Sequence, residues 1–472
     1  MTAAKTQPAR GMRDFLPDDV RRREYVIGVI ADVYRRYGFE PLETPAVENI
    51  ETLMGKYGEE GDRLIFKILK RGDEGRHTGE ADLALRYDLT VPLARVVAEY
   101  RGKLPKFFKR YQVQPVWRAD RPQKGRFREF YQCDVDVVGS TSPVVEVELC
   151  AAVSDVLSRL GFSEFVIRLN HRRVLAGLLD AAGVEPSLHG TALVAVDKLD
   201  KVGAAGVQSE LVSRGLDEDV ARRLLDTFQR AAALATSRPD PASCNREMLA
   251  MLAADLGSGD PGGEASGDAS AGGAPATAAA GLGTLSDIVR LSAGTSAAPH
   301  LRLDPSLARG LSYYTGAIME IAVPDLAGSL GGGGRYDGLV GMFSGEQVPA
   351  CGFSLGLERI LVVMTERQMF PEDVGASPAD VLVTLWSAER TSDALALAAS
   401  LRAAGVRVDV YPEPDKLGKQ FKYAATRGFP YVVIMGDDEA ARGEVTVKNM
   451  KTGEQQSVAR HDVTGLLGHT RR

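Results

Sequence analysis

The sequence has few cysteines and histidines, and it has no long hydrophobic run. No two of the four cysteines form a CxxC pair, and the six histidines are equally scattered. Disulfide frameworks and zinc sites depend on close ligand spacing, so we expect neither disulfides nor a protein-bound metal. No apolar stretch approaches the roughly 18 residues that cross a membrane, and the first residues lack a signal-peptide segment. These absences predict a cytoplasmic protein without a membrane partner.

The overall charge does not indicate a nucleic-acid binder, because the net charge of the 472 residues is −6. That average conceals a basic segment from Arg101 to Arg128, which has ten Lys and Arg residues and a single acid, Asp120. Such a segment fits a polyanionic ligand bound at one place. A run of charge by itself is more often a solvated surface, so both interpretations stay open.

Hydrophobic periodicity divides the chain into regions. A helix is predicted over residues 20–37, and the region 175–256 is helical throughout. Between them come four strand-like segments without long helical patterns, which favours an antiparallel sheet; they are residues 64–69, 83–88, 110–118 and 128–138. Residues 257–283 are almost entirely small or polar, and we expect them to be disordered because they lack apolar side chains.

The C-terminal region has a different pattern. After a linker-like stretch at 365–380, strands and helices alternate. The predicted strands are 381–385, 406–411 and 431–435, and the predicted helices are 392–404 and 416–427. This alternation is typical of a small α/β domain of roughly one hundred residues.

The segment REFYQCDVDVV carries the strongest sign of a binding site. Strand alternation places its polar side chains on one face and mostly apolar side chains on the other. The polar face consists of Arg128, Phe130, Gln132, Asp134 and Asp136. It is either the floor of a polar cleft, suited to a small zwitterion, or the solvated face of an edge strand.

Neighbouring segments add charged groups. Arg118 ends the preceding strand, and the loop RADRPQKGRFRE that follows it has the length and basic content for phosphate contact. The 83–88 strand is expected to place Arg86 and Asp88 on one face. The glycine cluster at 329–340 contains neither a Walker lysine nor GxGxxG, so it indicates only a close backbone approach. Without a nucleophile or metal signal, chemistry by positioning and charge stabilisation fits best.

Five blocks in this order resemble the histidyl-tRNA synthetase family of class II aminoacyl-tRNA synthetases. They are RYDLT (86–90), VWRADRPQKGRFREFYQCDVDVVG (116–139), LARGLSYYTG (307–316), GGGRYDGL (332–339) and GFSLGLERI (352–360). The opening RGMRDFLP and the terminal α/β region also resemble the family. Ser312 stands where the family often has aspartate.

The resemblance implies an α+β fold, in which helices flank a class II antiparallel sheet. The implied domains are a catalytic domain in two parts (1–170 and 301–370), a helical insertion domain (171–300) that includes the disordered segment, and a small α/β anticodon-binding domain (378–472). The implied activity is that of a histidine–tRNA ligase. Such an enzyme makes histidyl-adenylate from histidine and ATP, with substrate-borne Mg²⁺, and transfers histidine to the 3′ end of tRNA(His). The family works as a homodimer.

The resemblance also implies a histidine pocket. Asp88, Thr90 and Gln132 would hold the α-amino group of histidine. Asp136 and Tyr314 would contact the imidazole, with Tyr313 nearby. A carboxylate can accept from a ring N–H, and a phenol can donate or accept, so this set provides a partner for each ring nitrogen.

The remaining implied roles concern phosphates, adenine and tRNA. Arg118 and Arg309 would bind the histidine carboxylate and the α-phosphate of ATP, and they are the implied catalytic residues. The other assignments are Arg126 for the terminal phosphates, Phe130 and Arg359 for adenine, and Gln123 and Arg128 for the acceptor end of tRNA. No residue is assigned to a protein-bound metal.

Two alternatives follow from the same resemblance. One is a catalytically inactive regulatory subunit of histidine biosynthesis, but that paralogue lacks the C-terminal domain and degrades the histidine-specific blocks. The other is a synthetase for a different amino acid of the same subclass. The 309–314 block and Asp136 argue against it.

Overall fold

The computed structural model describes residues 6–70, 80–123, 125–257, 274–308, 313–324, 326, 328–372, 374–375 and 377–468. The chain separates into two compact units. The first comprises Met1–Asp14 and Arg23–Met369, and the second comprises Phe15–Arg22 and Phe370–Arg472. Among the residues described, no helix combines the length and apolar content needed to cross a membrane.

The strands of the first unit are β1 (Glu40–Pro41), β2 (Val47–Asn49), β3 (Lys67–Leu69), β4 (Ala81–Leu85), β5 (Phe108–Trp117), β6 (Glu129–Val138), β7 (Val166–His171), β8 (Leu301–Leu303), β9 (Ala317–Ala322), β10 (Gly331–Arg335) and β11 (Ala350–Gly356). Eight of them form one sheet in the order β1-β5-β6-β11-β10-β9-β7-β8. Its strands pair antiparallel from β5 through β7, and only the outer pairs β1–β5 and β7–β8 are parallel. The predicted antiparallel sheet is confirmed for the segments 110–118 and 128–138. The segments 64–69 and 83–88 instead contribute β3 and β4 to a separate antiparallel sheet in the order β2-β4-β3.

The helices preceding residue 370 are α1 (Pro17–Arg36), α2 (Ile50–Leu53), α3 (Gly58–Arg63), α4 (Thr90–Tyr100), α5 (Val144–Arg159), α6 (Arg172–Ala182), α7 (His189–Val196), α8 (Leu199–Ser213), α9 (Glu218–Ser237), α10 (Pro241–Asp255), α11 (Ala274–Ser292), α12 (Gly341–Ser344) and α13 (Leu357–Glu366). The predicted first helix is confirmed as α1. Val26, Ile30 and Val33 are buried at helical spacing along it.

Strand β6 lies inside the large sheet, with β5 on one side and β11 on the other. Its polar residues Gln132, Asp134 and Asp136 are all buried. The alternative of an edge strand with a solvated face is therefore wrong. The basic segment is also not solvated along its whole length, because Arg110 is fully buried in the sheet. Lys109 pairs with Glu148 at 2.9 Å.

The prediction of disorder over 257–283 is wrong for residues 274–283, whereas residues 258–273 lie outside the described residues. Helix α11 covers 274–292, and Leu282 and Ala278 on it are 2% and 1% exposed. A Cβ on Gly177 of α6 would lie 2.5 Å from the Ala278 side chain. Alanine and glycine thus bury surface here by letting two helices approach closely, which a composition argument overlooked.

The second unit has strands β12 (Val381–Val383), β13 (Val408–Val410), β14 (Tyr431–Ile434), β15 (Glu444–Asn449) and β16 (Gln455–Ala459), and helices α14 (Thr391–Ala403), α15 (Leu417–Thr426), α16 (Asp437–Arg442) and α17 (Val463–Gly468). The sheet order is β13-β12-β14-β15-β16, with β12 parallel to both of its neighbours. The predicted alternation of three strands and two helices is confirmed. The antiparallel pair β15–β16 was not predicted.

Candidate active site

A cavity of about 400 Å³ opens in the first unit. Its lining brings together nine of the predicted site residues: Asp88, Thr90, Arg118, Arg126, Phe130, Gln132, Tyr313, Tyr314 and Arg359. They come from four separate sequence blocks, so the fold assembles them. Of the other predictions, Gln123, Arg128 and Asp136 are not part of this lining, and Arg309 and Ser312 lie outside the described residues.

Asp88 is fixed in the wall by three hydrogen bonds. Its Oδ1 accepts from the Val91 amide and the Tyr57 hydroxyl, both at 3.0 Å, and Oδ2 accepts from the Tyr313 hydroxyl at 3.2 Å. Burial raises the pKa of Asp88, while these bonds and the positive charge of Arg118 act in the opposite direction. The result is a rigid acceptor that also caps the start of α4.

Arg86 does not share this site, contrary to the strand prediction. Strand β4 ends at Leu85, so the alternation of faces does not continue to Asp88. The Arg86 guanidinium donates to the carbonyls of Thr44 at 2.6 Å and Pro115 at 2.8 Å. These buried hydrogen bonds connect the segment after β4 to the segments that contain Thr44 and Pro115.

Arg118 follows β5 and faces the cavity. Its Nε donates to the Tyr87 carbonyl at 3.1 Å, and its guanidinium lies 4.3 Å from the Tyr87 ring centroid and 5.2 Å from that of Phe130. Two aromatic faces and one backbone acceptor therefore hold this cation in place. A guanidinium preorganised in this way can stabilise developing negative charge without rearranging.

The loop between β5 and β6 is organised by Asp120. Its carboxylate binds Arg126 through two hydrogen bonds of 3.0 and 2.9 Å, and its carbonyl accepts from Arg128 at 3.0 Å. Gln123 and Arg126 close a tight turn by pairing their backbones. The Arg126 side chain remains 47% exposed, which leaves it accessible to an anion.

The glycine cluster forms β10, beside the cavity, and Gly331 to Gly333 contribute to its lining. A Cβ on Gly333 would lie 2.1 Å from the Gly352 carbonyl, and one on Gly331 would lie 2.4 Å from the Ser354 carbonyl. The inferred close backbone approach is therefore confirmed, and it occurs between strands β10 and β11. Arg335, at the end of β10, makes a buried bidentate pair with Glu146 of α5 at 2.7 and 2.8 Å.

Asp136 is 2% exposed and is engaged from two sides. Its Oδ1 accepts from the Tyr336 hydroxyl at 2.5 Å, and its Oδ2 lies 2.9 Å from Nη2 of Arg110. Burial raises the pKa of Asp136, and the Arg110 charge lowers it. The structure therefore places this carboxylate in a buried cluster with Arg110 and Tyr336 and does not bring it into the cavity lining.

Sequence reasoning missed several lining residues, among them Ser354, Glu320 and Glu358. Glu320 is the one charged residue in the apolar strand AIMEIA, and that contrast could have identified it. Glu358 accepts from the Tyr131 amide at 2.9 Å, and its burial raises its pKa. Ser354 gives no such signal, because only the strand register shows that it faces the cavity.

Comparisons with known proteins show which family the sequence resembles. Residues 11–360 match the family described as Histidyl-tRNA synthetase, and residues 380–468 match the Anticodon binding domain. A histidine–tRNA ligase of Gloeobacter violaceus is 42% identical over 473 residues, covering 95% of each protein. One from Porphyromonas gingivalis is 42% identical over 463 residues, again covering 95% of each.

Solved structures give a similar result. A crystal structure of histidyl-tRNA synthetase from a Nostoc species has a TM-score of 0.79 at 30% identity, covering 99% of this chain and 100% of that one. A Bacillus halodurans structure described as an ATP phosphoribosyltransferase regulatory subunit/histidyl-tRNA synthetase has a TM-score of 0.68 at 20% identity, covering 92% of this chain and 98% of that one. The second likeness concerns the fold alone.

Proposed function

The chain belongs to the histidyl-tRNA synthetase family, and we propose that its cavity performs both steps of a histidine–tRNA ligase. In the first step, a carboxylate oxygen of histidine attacks the α-phosphorus of ATP and pyrophosphate leaves. In the second, a ribose hydroxyl at the 3′ end of tRNA(His) attacks the acyl carbon and AMP leaves. The single observation that carries this proposal is the convergence of Arg118, Asp88, Gln132 and Tyr314 on one cavity.

The activation step brings two anions together and builds negative charge on the phosphoryl oxygens. Arg118 is the described residue best suited to offset that charge, because aromatic faces and the Tyr87 carbonyl already fix it. We assign Arg309 the same role on the opposite side of the α-phosphate, on the family resemblance. Fixed guanidinium groups lower the barrier because they need no reorganisation.

Recognition of histidine divides between its two polar ends. We assign the α-ammonium group to Asp88, Thr90 and Gln132. We assign the imidazole to Tyr314, with Tyr313 beside it at a ring-centroid distance of 5.1 Å. We assign Asp136 to the imidazole as well, which requires its carboxylate to move from its contact with Tyr336. An unmatched side chain would leave buried polar groups unpaired, at a cost of about 1–3 kcal/mol each.

ATP would lie between the exposed loop and the glycine strand. We assign Arg126 to the terminal phosphates, and Phe130 and Arg359 to the two faces of adenine. The Arg359 guanidinium donates to the Ser329 carbonyl next to β10, which holds it over the cavity. Mg²⁺ would arrive with ATP and bridge its phosphate oxygens, as is usual for this ion.

The remaining assignments concern tRNA and assembly. We assign the acceptor end of tRNA to Gln123 and Arg128, which lie in the loop beside the cavity, and the anticodon to residues 378–472. Residues 1–170 and 301–370 form the catalytic domain, and 171–300 form the insertion domain. We propose a cytoplasmic homodimer. The exposed hydrophobic side chains of Tyr100, Phe107 and Met342 fit a subunit contact.

The test is ATP–pyrophosphate exchange with each of the twenty amino acids. Histidine should support exchange far better than any other, and equal performance by another amino acid would contradict the assignment. Arg118→Ala should lower histidine-dependent exchange by about 10²–10³ fold, the usual cost of removing one preorganised donor. Arg290→Ala is the matched control, because this exposed arginine pairs with Asp287 of the same helix at 2.7 Å. Wild-type exchange in the Arg118 variant would refute its role.

The regulatory-subunit alternative has less support. The chain keeps a region that matches the Anticodon binding domain over residues 380–468, which that paralogue lacks. It also keeps the histidine-specific tyrosines in the cavity lining. Exchange activity with histidine would exclude an inactive role directly.

A further inference from the structure

A row of polar side chains crosses the large sheet beneath the cavity. Asp134 of β6 pairs with Gln112 of β5 on one side and with Ser354 of β11 on the other. Gln132 lies two residues before Asp134 on the same face of β6. Asp134 is 2% exposed, whereas Ser354 and Gln132 contribute to the cavity lining. The row thus connects a buried carboxylate to two residues that a substrate can reach.

Gln132 and Ser354 are joined by a hydrogen bond. The Gln132 Nε2 atom donates to the Ser354 Oγ atom at 2.8 Å. The other end of the amide, Oε1, is buried and has no hydrogen-bond partner among the described residues. An unpartnered buried acceptor costs about 1–3 kcal/mol, so a donor from a ligand in the cavity would recover that cost.

Asp134 lies directly opposite Ser354 in the pairing of β6 with β11, so their side chains are neighbours on one face of the sheet. Burial raises the pKa of Asp134 to about 7, while Arg110 and hydrogen bonding from Ser354 act to lower it. The other ionisable groups near this carboxyl are Asp136, Asp88, Tyr34, Tyr314 and Cys133. An ionised carboxylate only accepts hydrogen bonds, so the serine hydroxyl must donate to it. The serine oxygen is then free to accept a hydrogen bond. Only the NH₂ end of the Gln132 amide can donate one, so that end turns toward Ser354.

We propose that Ser354 and Asp134 are positioning residues that hold Gln132 Oε1 available for the α-ammonium group of the amino-acid substrate. An ammonium group has three donors and no acceptor, so it can bind the carbonyl end of the amide but is repelled by the NH₂ end. Without this relay of Asp134, Ser354 and Gln132, the Gln132 amide is free to rotate and to present its NH₂ end to the substrate. The proposal rests on the proposed function, because it requires an amino acid in this cavity.

The experiment compares histidine with 3-(imidazol-4-yl)propionate, which is histidine without its α-amino group. Both are measured on the full-length enzyme at pH 8.5, where Asp134 is mostly ionised: histidine by its KM in pyrophosphate exchange, the analogue by its inhibition constant. Ser354→Ala should raise the KM for histidine about tenfold, the ratio that corresponds to loss of one buried hydrogen bond. The inhibition constant of the analogue and the kcat should change less than about twofold.

Two further variants separate positioning from packing. Ser354→Thr keeps the hydroxyl and should restore the preference for the α-amino group. Asp134→Asn replaces an acceptor with an amide that can donate to Ser354, so it should reproduce the selective loss even if Ser354→Ala fails to fold. Ser213→Ala is the control for loss of a hydroxyl, because among the described residues the exposed Ser213 hydroxyl has one partner, the Glu210 carbonyl of the same helix.

The outcomes are distinct. Selective weakening of histidine binding in Ser354→Ala or Asp134→Asn supports the relay. Equal weakening of histidine and the analogue, or no weakening of either, overturns it. If the wild-type enzyme shows no histidine-dependent exchange, the proposed function fails instead, and this is established before any variant is made.

Discussion

His171 should make the first unit sensitive to mild acid. This residue ends β7 and caps α6, where its Nδ1 accepts from the Arg173 amide at 3.1 Å. The ring is 5% exposed, and a Cβ on the neighbouring Gly281 would lie only 2.9 Å from Nδ1. Burial, followed by the positive charges of Arg173 and Arg335, lowers the pKa of His171 from 6.5 to about 4.

The sign of the effect follows from proton counting. Between pH 6.5 and 4 the unfolded chain protonates this histidine and the native state does not. Stability is therefore present in full above pH 6.5 and is lost as the pH falls through that window. The full pKa difference, from 6.5 to about 4, corresponds to ~3 kcal/mol in the free energy of unfolding. Between pH 7.5 and pH 5.0, His171 alone should account for ~2 kcal/mol of lost stability.

The matched variant is His171→Asn, which keeps a side-chain acceptor favoured at helix N-caps but does not titrate. The chain has two tryptophans, Trp117 in the first unit and Trp386 in the second. In a Trp386→Phe background, Trp117 fluorescence reports urea unfolding of the first unit. The asparagine variant should lose about 2 kcal/mol less than its parent on going to pH 5.0. Identical losses would refute the reasoning, since all other titrating groups are shared.

Two further predictions follow from the cavity and the second unit. Gly352→Ala should destabilise the first unit by about 1–3 kcal/mol and reduce exchange activity, because its Cβ would lie 1.8 Å from Asp136 Oδ1. Gly338→Ala, with no neighbour within 4 Å, is the control in urea unfolding, and equal effects would contradict the steric argument. Removing residues 378–472 should impair tRNA charging far more than pyrophosphate exchange; an equal loss in both assays would argue against a tRNA-binding role for that region.

Local pattern was sufficient to predict much of the fold. Alternation along 128–138 correctly placed Phe130, Gln132, Asp134 and Asp136 on one face, because strand geometry fixes that period whatever the partner strands are. The helix α1 and the alternation of the second unit were predicted for the same reason. Each depends on residues that are close in sequence.

The features that sequence reasoning did not find depend on contacts between distant segments. One is the contact of Asp136 with Tyr336, which lies 200 residues further along the chain and donates to it. Nothing in the sequence around Asp136 reveals that partner. Similarly, the 257–283 segment was judged by its own composition, whereas α11 is stabilised by packing against Gly177 of α6. Arg86 was misplaced because the end of β4 is set by neighbouring strands.

The pairing of β7 with β8 fixes where the helical region joins the large sheet. The chain leaves the large sheet at His171 and returns at Leu301, on strands whose residues Ile167 and Leu301 are paired directly. Because β7 and β8 are parallel, the chain leaves at the end of β7 and re-enters at the start of β8, four residues away along the strand. With a rise of about 3.3 Å per residue and about 4.8 Å between strands, the two attachment points lie about 14 Å apart. Asn245 of α10 also bonds to the Leu301 carbonyl at 3.0 Å and the Leu303 amide at 2.8 Å, so a segment grafted between His171 and Leu301 must span that distance and satisfy β8.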